Sequence, residues 1–184
     1  MEDENVAELV RRVLWQYKMK DNLQFKKWFK IDKDHSREWR TNARVWFNFV
    51  AGEQWTAEEK EYLDDHLRPV ITFNRTAVII NAVVGAQIEN QPEIVFSAVE
   101  PGDVMPNNVL QGAGEWFRRT ACSDYADGEA FLHTCICGMG WTETIIDFEE
   151  DIQGKPAQIP LDPLEMYWDA SARLANLRDA KRLW

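Results

Sequence analysis

Apolar side chains recur at helical spacing along the first third of the chain, and this periodicity predicts its helices. Residues 4–20 carry an apolar stripe that indicates an amphipathic helix of about four turns. After a break at residues 21–22 and a short basic and aromatic segment, a second stripe predicts a helix over 34–50, which Gly52 ends. Thr56 then opens a T-A-E-E capping box, which predicts a short acidic helix to about residue 66.

The most apolar part of the chain follows. Residues 69–73 are expected to be extended, and Asn74 is a good N-cap for a helix that reaches about Asn90. Pro92 ends this helix because its ring forbids continuation. The helix is apolar on nearly every side, so we expect it to be largely buried. Its apolar run at residues 76–86 is too short for a bilayer crossing, which needs roughly 20 residues.

The second half of the chain adds β patterns to helical ones. Pro106 suits a first helical turn, Ser123 and Asp124 are expected to cap another helix, and Gly138 ends it. The predicted helices span residues 106–120 and 123–138, and the predicted strands span 93–99, 141–148, 156–161 and 167–168. The fold class is therefore α+β, mainly helical with a small antiparallel sheet. We divide it into N-terminal helices over residues 1–66 and an α+β part over residues 67–184.

Charge is distributed unevenly along these elements. The 184-residue chain has a net charge of −10, but residues 1–50 carry 11 basic and 8 acidic side chains. The remaining residues carry 10 basic and 23 acidic side chains. This acidic part is a poor match for phosphate, which is bound by clustered Lys and Arg. Nine tryptophans favour burial against a neighbouring chain as much as within one domain.

Candidate catalytic and metal-binding residues fail on spacing. His133, Cys135 and Cys137 have the side chains of zinc ligands, but their i, i+2, i+4 spacing places Cys135 on the opposite side of a helix. A packed, buried cysteine is the better interpretation. No nucleophilic serine motif and no phosphate-binding loop occurs, and the acidic run at 149–151 suits a solvated hairpin loop. We therefore expect no enzyme activity, no cofactor and no metal.

The basic and aromatic segment at residues 11–47 leaves two interpretations open. Cations interleaved with aromatic rings can bind nucleic acid or an anionic membrane surface. Alternatively, the rings pack and the lysines form a solvated rim, which the helical spacing of the rings favours. The candidate DNA or partner contacts are Arg11, Arg12, Lys26, Lys27 and Lys30.

Seven short motifs occur in one order: AGEQW at 51–55, RPVITFNR at 68–75, NQP at 90–92, GMGW at 138–141, DP at 162–163, YWDASA at 167–172 and RDAK at 178–181. Over roughly residues 39–184 this series resembles the N-terminal part of the portal, or head-to-tail connector, proteins of short-tailed double-stranded DNA bacteriophages. The residues assigned structural roles by the resemblance are Gly52, Gln54, Trp55, Asn74, Arg75, Gln91, Pro92, Gly138, Gly140, Asp162, Pro163, Trp168, Asp169 and Asp179.

The resemblance implies a structural subunit of a twelve-membered ring at the unique vertex of the capsid, without hydrolytic activity. The ring would serve genome packaging, genome ejection and attachment of the tail. Implied partners are the major capsid protein, the scaffold, the tail adaptor, the terminase and the DNA that passes through. The implied location is the virion, after assembly in the host cytoplasm. We expect this chain to correspond to the wing region, with the channel and the terminase-docking part in a longer protein.

Overall fold

A computed structural model describes residues 22–90, 95–98, 100, 104–149, 151–174 and 176–184. The predicted helix over residues 4–20 lies outside the described residues, as do Arg11, Arg12, Gln91 and Pro92. Within the described residues the fold is mainly helical with one two-stranded antiparallel sheet, which confirms the predicted α+β class.

Within these ranges, six helices and two strands follow one another along the chain. The helices are α1 (22–35), α2 (Arg37–Ala51), α3 (Ala57–Asp65), α4 (Arg75–Glu89), α5 (Val104–Thr120) and α6 (Ser123–Cys137). The strands are β1 (Trp141–Asp147) and β2 (Lys155–Leu161). The described residues form two compact units, of which the first holds residues 22–41 and 166–184 and the second holds residues 42–165. The division into residues 1–66 and 67–184 stays a prediction.

In the first unit, α1 packs with the C-terminal segment. The sequence predicted only a short segment before a helix at residue 34, whereas residues 22–35 are helical and Ser36 interrupts them before α2. Residues 166–184 form a loop whose two ends pair, with an isolated antiparallel bridge between Trp168 and Leu183. Tyr167 and Trp184 exchange backbone hydrogen bonds of 3.0 and 2.8 Å. The expected strand at 167–168 is therefore reduced to a single bridge.

In the second unit, the predicted helix starts are largely confirmed. The Thr56 side chain accepts a hydrogen bond from the Glu59 amide and the Glu59 carboxylate accepts one from the Thr56 amide, so the capping box is present. Asn74 caps α4, and Gly138 ends α6 in the left-handed conformation. The expectation that Ser123 and Asp124 cap α6 is wrong, because the N-cap is Cys122 and it makes no side-chain capping bond.

The expectation of a buried α4 is also wrong for this chain. No residue of α4 is buried, and Val78 and Ile79 are 68% and 64% exposed. The helix packs against α6, which covers one side and leaves the other apolar positions open. A helix that is apolar on every side is expected to be buried, but the pattern does not indicate whether its own chain or another one buries it. Of the strand predicted over residues 93–99, the described residues 95–98 form no strand. Residues 69–73, expected to be extended, have no regular secondary structure.

The hairpin confirms the predicted antiparallel pair. β1 and β2 pair with Trp141 opposite Leu161 and Asp147 opposite Lys155, and α6 packs against both strands. Gly140, at the junction of α6 and β1, has no room for a side chain, since a Cβ there would collide with the carbonyl of Ala130. Among the described helices, each falls short of the length and apolarity that a membrane crossing requires.

We expect Gly140→Ala to destabilise the second unit by about 2–4 kcal/mol, because the added methyl group must displace the α6 backbone. Urea unfolding followed by circular dichroism measures this free energy. Gly112→Ala is the matched control: its Cβ would meet nothing within 4 Å in the middle of α5, so it should be neutral or stabilising by up to about 1 kcal/mol. Equal unfolding free energies for the two variants would contradict the close approach at Gly140.

Candidate functional site

Two buried carboxylates, an arginine and a tryptophan meet in the first unit, and we call Asp32, Asp169, Arg182 and Trp184 the polar cluster. Asp32 and Asp169 are both 0% exposed. Arg182 reaches the two carboxylates, with 3.2 Å from its Nε to Asp32 Oδ2 and 2.7 Å from its Nη2 to Asp169 Oδ1. The Trp184 indole donates a 2.9 Å hydrogen bond to Asp32 Oδ2. One cation therefore bridges two buried anions.

Backbone groups complete this arrangement. The amide of Ala170 donates to Asp32 at 3.0 Å, and the amide and hydroxyl of Ser171 donate to Asp169 at 2.9 and 2.8 Å. The amide of Lys181 reaches the other oxygen of Asp169 at 3.3 Å. A buried charge is tolerated only when it is paired and hydrogen-bonded, and both carboxylates meet that condition.

These contacts set the ionisation of the cluster. Burial alone raises the pKa of Asp32, but the hydrogen bonds from Arg182, Ala170 and Trp184 outweigh it, and the net pKa lies below its ordinary value. The hydrogen bonds from Ser171 lower the pKa of Asp169 in the same direction. The Asp32 hydrogen bond raises the pKa of Arg182. All three groups are therefore charged at neutral pH, and their pairing holds the unit together.

Aromatic rings pack around cations in the same unit. The Arg182 guanidinium lies 5.0 Å from the centre of the Trp28 ring, and that of Arg40 lies 3.8 Å from the Tyr167 ring. Trp39 and Trp168 pack edge to face at 5.1 Å. Rings of this unit thus contact cations and one another, which agrees with the interpretation of packed rings.

A second group of motif residues meets where α2 ends and α4 begins. Gly52 adopts a φ of +106°, which an L side chain rarely tolerates, and this turn brings Gln54 to Asn74. The Gln54 amide donates to Asn74 Oδ1 at 3.3 Å, and the Asn74 amide donates to the carbonyl of Val50 at 2.6 Å. Asn74 Oδ1 also accepts from the amide of Ala77 at 3.1 Å. Two motifs distant in sequence thereby form one helix junction.

A third group surrounds the end of α6. Cys137 is buried, and burial raises the pKa of its thiol. Asp162 Oδ1 accepts from the amide of Leu164 at 2.8 Å, which fixes the turn that buries Pro163. His133 packs its ring against Phe47 at 5.8 Å. In the described residues, no three His, Cys, Asp or Glu side chains form a group that could hold a metal ion.

A cavity of about 580 Å³ lies in the second unit beside α5 and α6. Three of its charged groups pair with one another: Arg118 lies 2.6 Å from Asp124 and 3.5 Å from Asp127, which also accepts a 2.8 Å hydrogen bond from Gln158. The hydroxyl of Ser123, also in its wall, is buried and makes no hydrogen bond. In the part of the chain that the structure describes, no base is therefore hydrogen-bonded to this hydroxyl.

The remaining predicted residues are not brought together. Lys26, Lys27 and Lys30 are exposed on α1, whose rings Phe25, Trp28 and Phe29 make aromatic contacts inside the unit. Arg75 is exposed in the first turn of α4, and Trp55 is half-buried before α3. Asp179 accepts from the amides of Arg173 and Leu174 at 2.7 and 3.3 Å, which lowers its pKa and closes the C-terminal loop.

Sequence reasoning missed Asp32, Arg182 and Trp184, although it selected Asp169 and Asp179. A usable signal was present, because Asp32 lies on the apolar side of α1, four residues after Trp28 and four before the buried Ser36. A carboxylate in that position requires a buried cation. Its partner, 150 residues away, has no local pattern that would identify it.

We expect Asp32→Asn to lower the unfolding free energy by about 3 kcal/mol at pH 7, because it leaves Arg182 with a weaker partner. Both folded carboxylates have lowered pKa values, so their contribution is complete above about pH 4 and is lost as the pH falls further. The difference between wild type and variant, measured by urea unfolding from pH 7 to 3, should therefore shrink below pH 4. Asp34→Asn, an exposed change on the same helix, is the control. A pH-independent difference would contradict the charged network.

The sequence was compared with curated proteins and with protein-family models. None of the curated proteins matches the sequence. A family model described as phage P22-like portal protein matches residues 26–184, which include the polar cluster, the junction at Asn74 and the hairpin. This match confirms the resemblance over most of the chain. The chain therefore belongs to the family of phage P22-like portal proteins.

Proposed function

We propose that this chain forms part of a ring-shaped portal subunit through which the phage genome enters the capsid and leaves it. Membership in the portal family, whose members are structural components of the virion at the capsid vertex, carries this proposal. The proposal extends to a ring of twelve copies, to contacts with capsid protein, scaffold, tail adaptor and terminase, and to assembly in the host cytoplasm.

The exposed apolar side chains of the second unit support self-assembly. On α4, Val78, Ile79, Val83 and Ile88 are between 46% and 68% exposed, and Trp116 on α5 is 59% exposed. Monomeric soluble proteins rarely leave contiguous apolar surface uncovered, whereas surfaces of this kind mark interfaces. A helix with one covered side suits a subunit that completes its packing against neighbouring chains.

The charge distribution supports passage of DNA without adhesion. Residues 51–184 carry 23 acidic and 10 basic side chains, and carboxylates repel phosphates. A conduit must avoid holding its cargo, since each phosphate contact by Lys or Arg adds affinity.

A competing function, binding of nucleic acid by α1, draws support from one observation. Lys26, Lys27 and Lys30 are exposed within little more than one helical turn. The neighbouring rings Phe25, Trp28 and Phe29 make contacts within the unit, so they are poorly placed to stack on bases. We rank this function second.

The test of the portal function is the assembly state of the full-length protein that contains this chain. We expect native mass spectrometry and end-on electron microscopy to show a closed ring of about twelve copies, because heterologous contacts that close by rotation give cyclic assemblies. A protein that stays monomeric at high concentration would overturn the proposal.

The competing function is tested by DNA binding as a function of salt. On the portal function, we expect weak binding whose logarithm varies little with the logarithm of salt concentration. Simultaneous Lys26→Gln, Lys27→Gln and Lys30→Gln should then leave the DNA affinity and its salt dependence unchanged. The control Lys60→Gln on α3 should do the same. If α1 bound DNA through these lysines, the slope would be about −2.7 and the triple variant would abolish it.

A further inference from the structure

The acidic helix α3 is exposed along most of its length. Within the described part of the second unit, no other helix or strand packs against it, and none of its residues is buried. It has nine residues, whereas isolated helices shorter than about 12–15 residues are marginal in water. Its capping box stabilises only the first turn. A helix of this length requires cover from another surface.

One side of α3 carries a cleft in which side chains of another surface can pack. Trp55, Tyr62 and Leu63 form an apolar cleft of about 350 Å³, which Glu58 and Glu59 flank. Tyr62 is 60% exposed. The helix carries five carboxylates and one lysine, so an occupant of the cleft should be apolar at its centre and basic at its edges.

The exposed side of α1 has these properties. Leu23, Lys27 and Ile31 recur at i, i+4 and i+8, and they line an apolar cleft of about 450 Å³. Leu23 and Ile31 are each 55% exposed. Lys26 and Lys30 are exposed next to them. Asp32, on α1, belongs to the polar cluster, whereas this basic side is exposed among the residues that the structure describes.

We propose that α3 of one copy docks on the Leu23–Lys27–Ile31 side of α1 in the neighbouring copy, with Glu58 opposite Lys27. This contact rests on the proposed ring, and it names the surfaces that join adjacent subunits. The two surfaces differ, so the contact is heterologous, and successive copies repeat it around a closed ring. The apolar side chains exclude water, and the opposite charges select the register.

Charge reversal tests the contact in the full-length protein by sedimentation velocity. Glu58→Lys and Lys27→Glu should each raise the subunit dissociation constant roughly tenfold, because one attraction becomes a repulsion. Asp64→Lys is the control for α3, since it makes the same charge change away from the cleft. Lys33→Glu is the corresponding control for α1. Circular dichroism checks that each variant is folded.

The double variant that carries both Glu58→Lys and Lys27→Glu supplies the decisive readout. Every contact in its ring would pair the introduced lysine of one copy with the introduced glutamate of the next, so we expect it to recover wild-type assembly. If both single variants assembled with the wild-type dissociation constant, this contact would be overturned and the portal function would stand. Loss of DNA binding by Lys27→Glu, with assembly unchanged, would assign the basic side to DNA instead. A wild-type protein that never assembles would overturn both proposals.

Discussion

The bridge from Arg182 to Asp32 and Asp169 is the interaction on which the first unit depends. Asp32 and Arg182 are 150 residues apart in sequence, and the pair ties a helix to a loop that has almost no regular structure. Asp32 is fully buried on the helix and Arg182 lies on the loop, so the loop can leave the helix only by separating this carboxylate from its cation. The YWDASA and RDAK motifs supply the backbone donors around this bridge. Their role in this chain is therefore architectural.

The second unit follows a different principle. Its fully buried apolar positions are small, such as Ala43, Ala121 and Ala126, while large side chains on α4 and α5 remain exposed. Hydrogen-bonded junctions, notably Gln54 with Asn74, and a tight approach at Gly140 fix its elements in place. Such a unit is held by local geometry and leaves apolar surface exposed on α4 and α5. This division of labour agrees with membership in a family of structural proteins.

Local signals in the sequence determined most of the secondary structure. Capping residues, glycine stops and the alternation in the hairpin act over a few residues, so Thr56, Asn74, Gly138 and the two strands were predictable. The error at α1 arose because the polar Asp32 and Ser36 interrupt its apolar stripe. Ser36 bonds to Arg40 four residues on, but Asp32 is paired with Arg182, 150 residues away in sequence. The predicted N-cap of α6 was wrong by one residue. The actual N-cap, Cys122, has a left-handed backbone and makes no side-chain capping bond, so no capping motif in the sequence indicates it.

The sequence by itself determined the fold class, the helix limits near strong caps, the motif series of the portal family and the failure of the metal spacing. Only the tertiary structure decided that Asp32 pairs with Arg182, that Gln54 meets Asn74, and that α4 keeps one side uncovered. The reason is physical. Periodicity and capping depend on neighbours within about four residues, whereas a buried ion pair and the cover of a helix depend on which distant segments the backbone brings within a few ångströms.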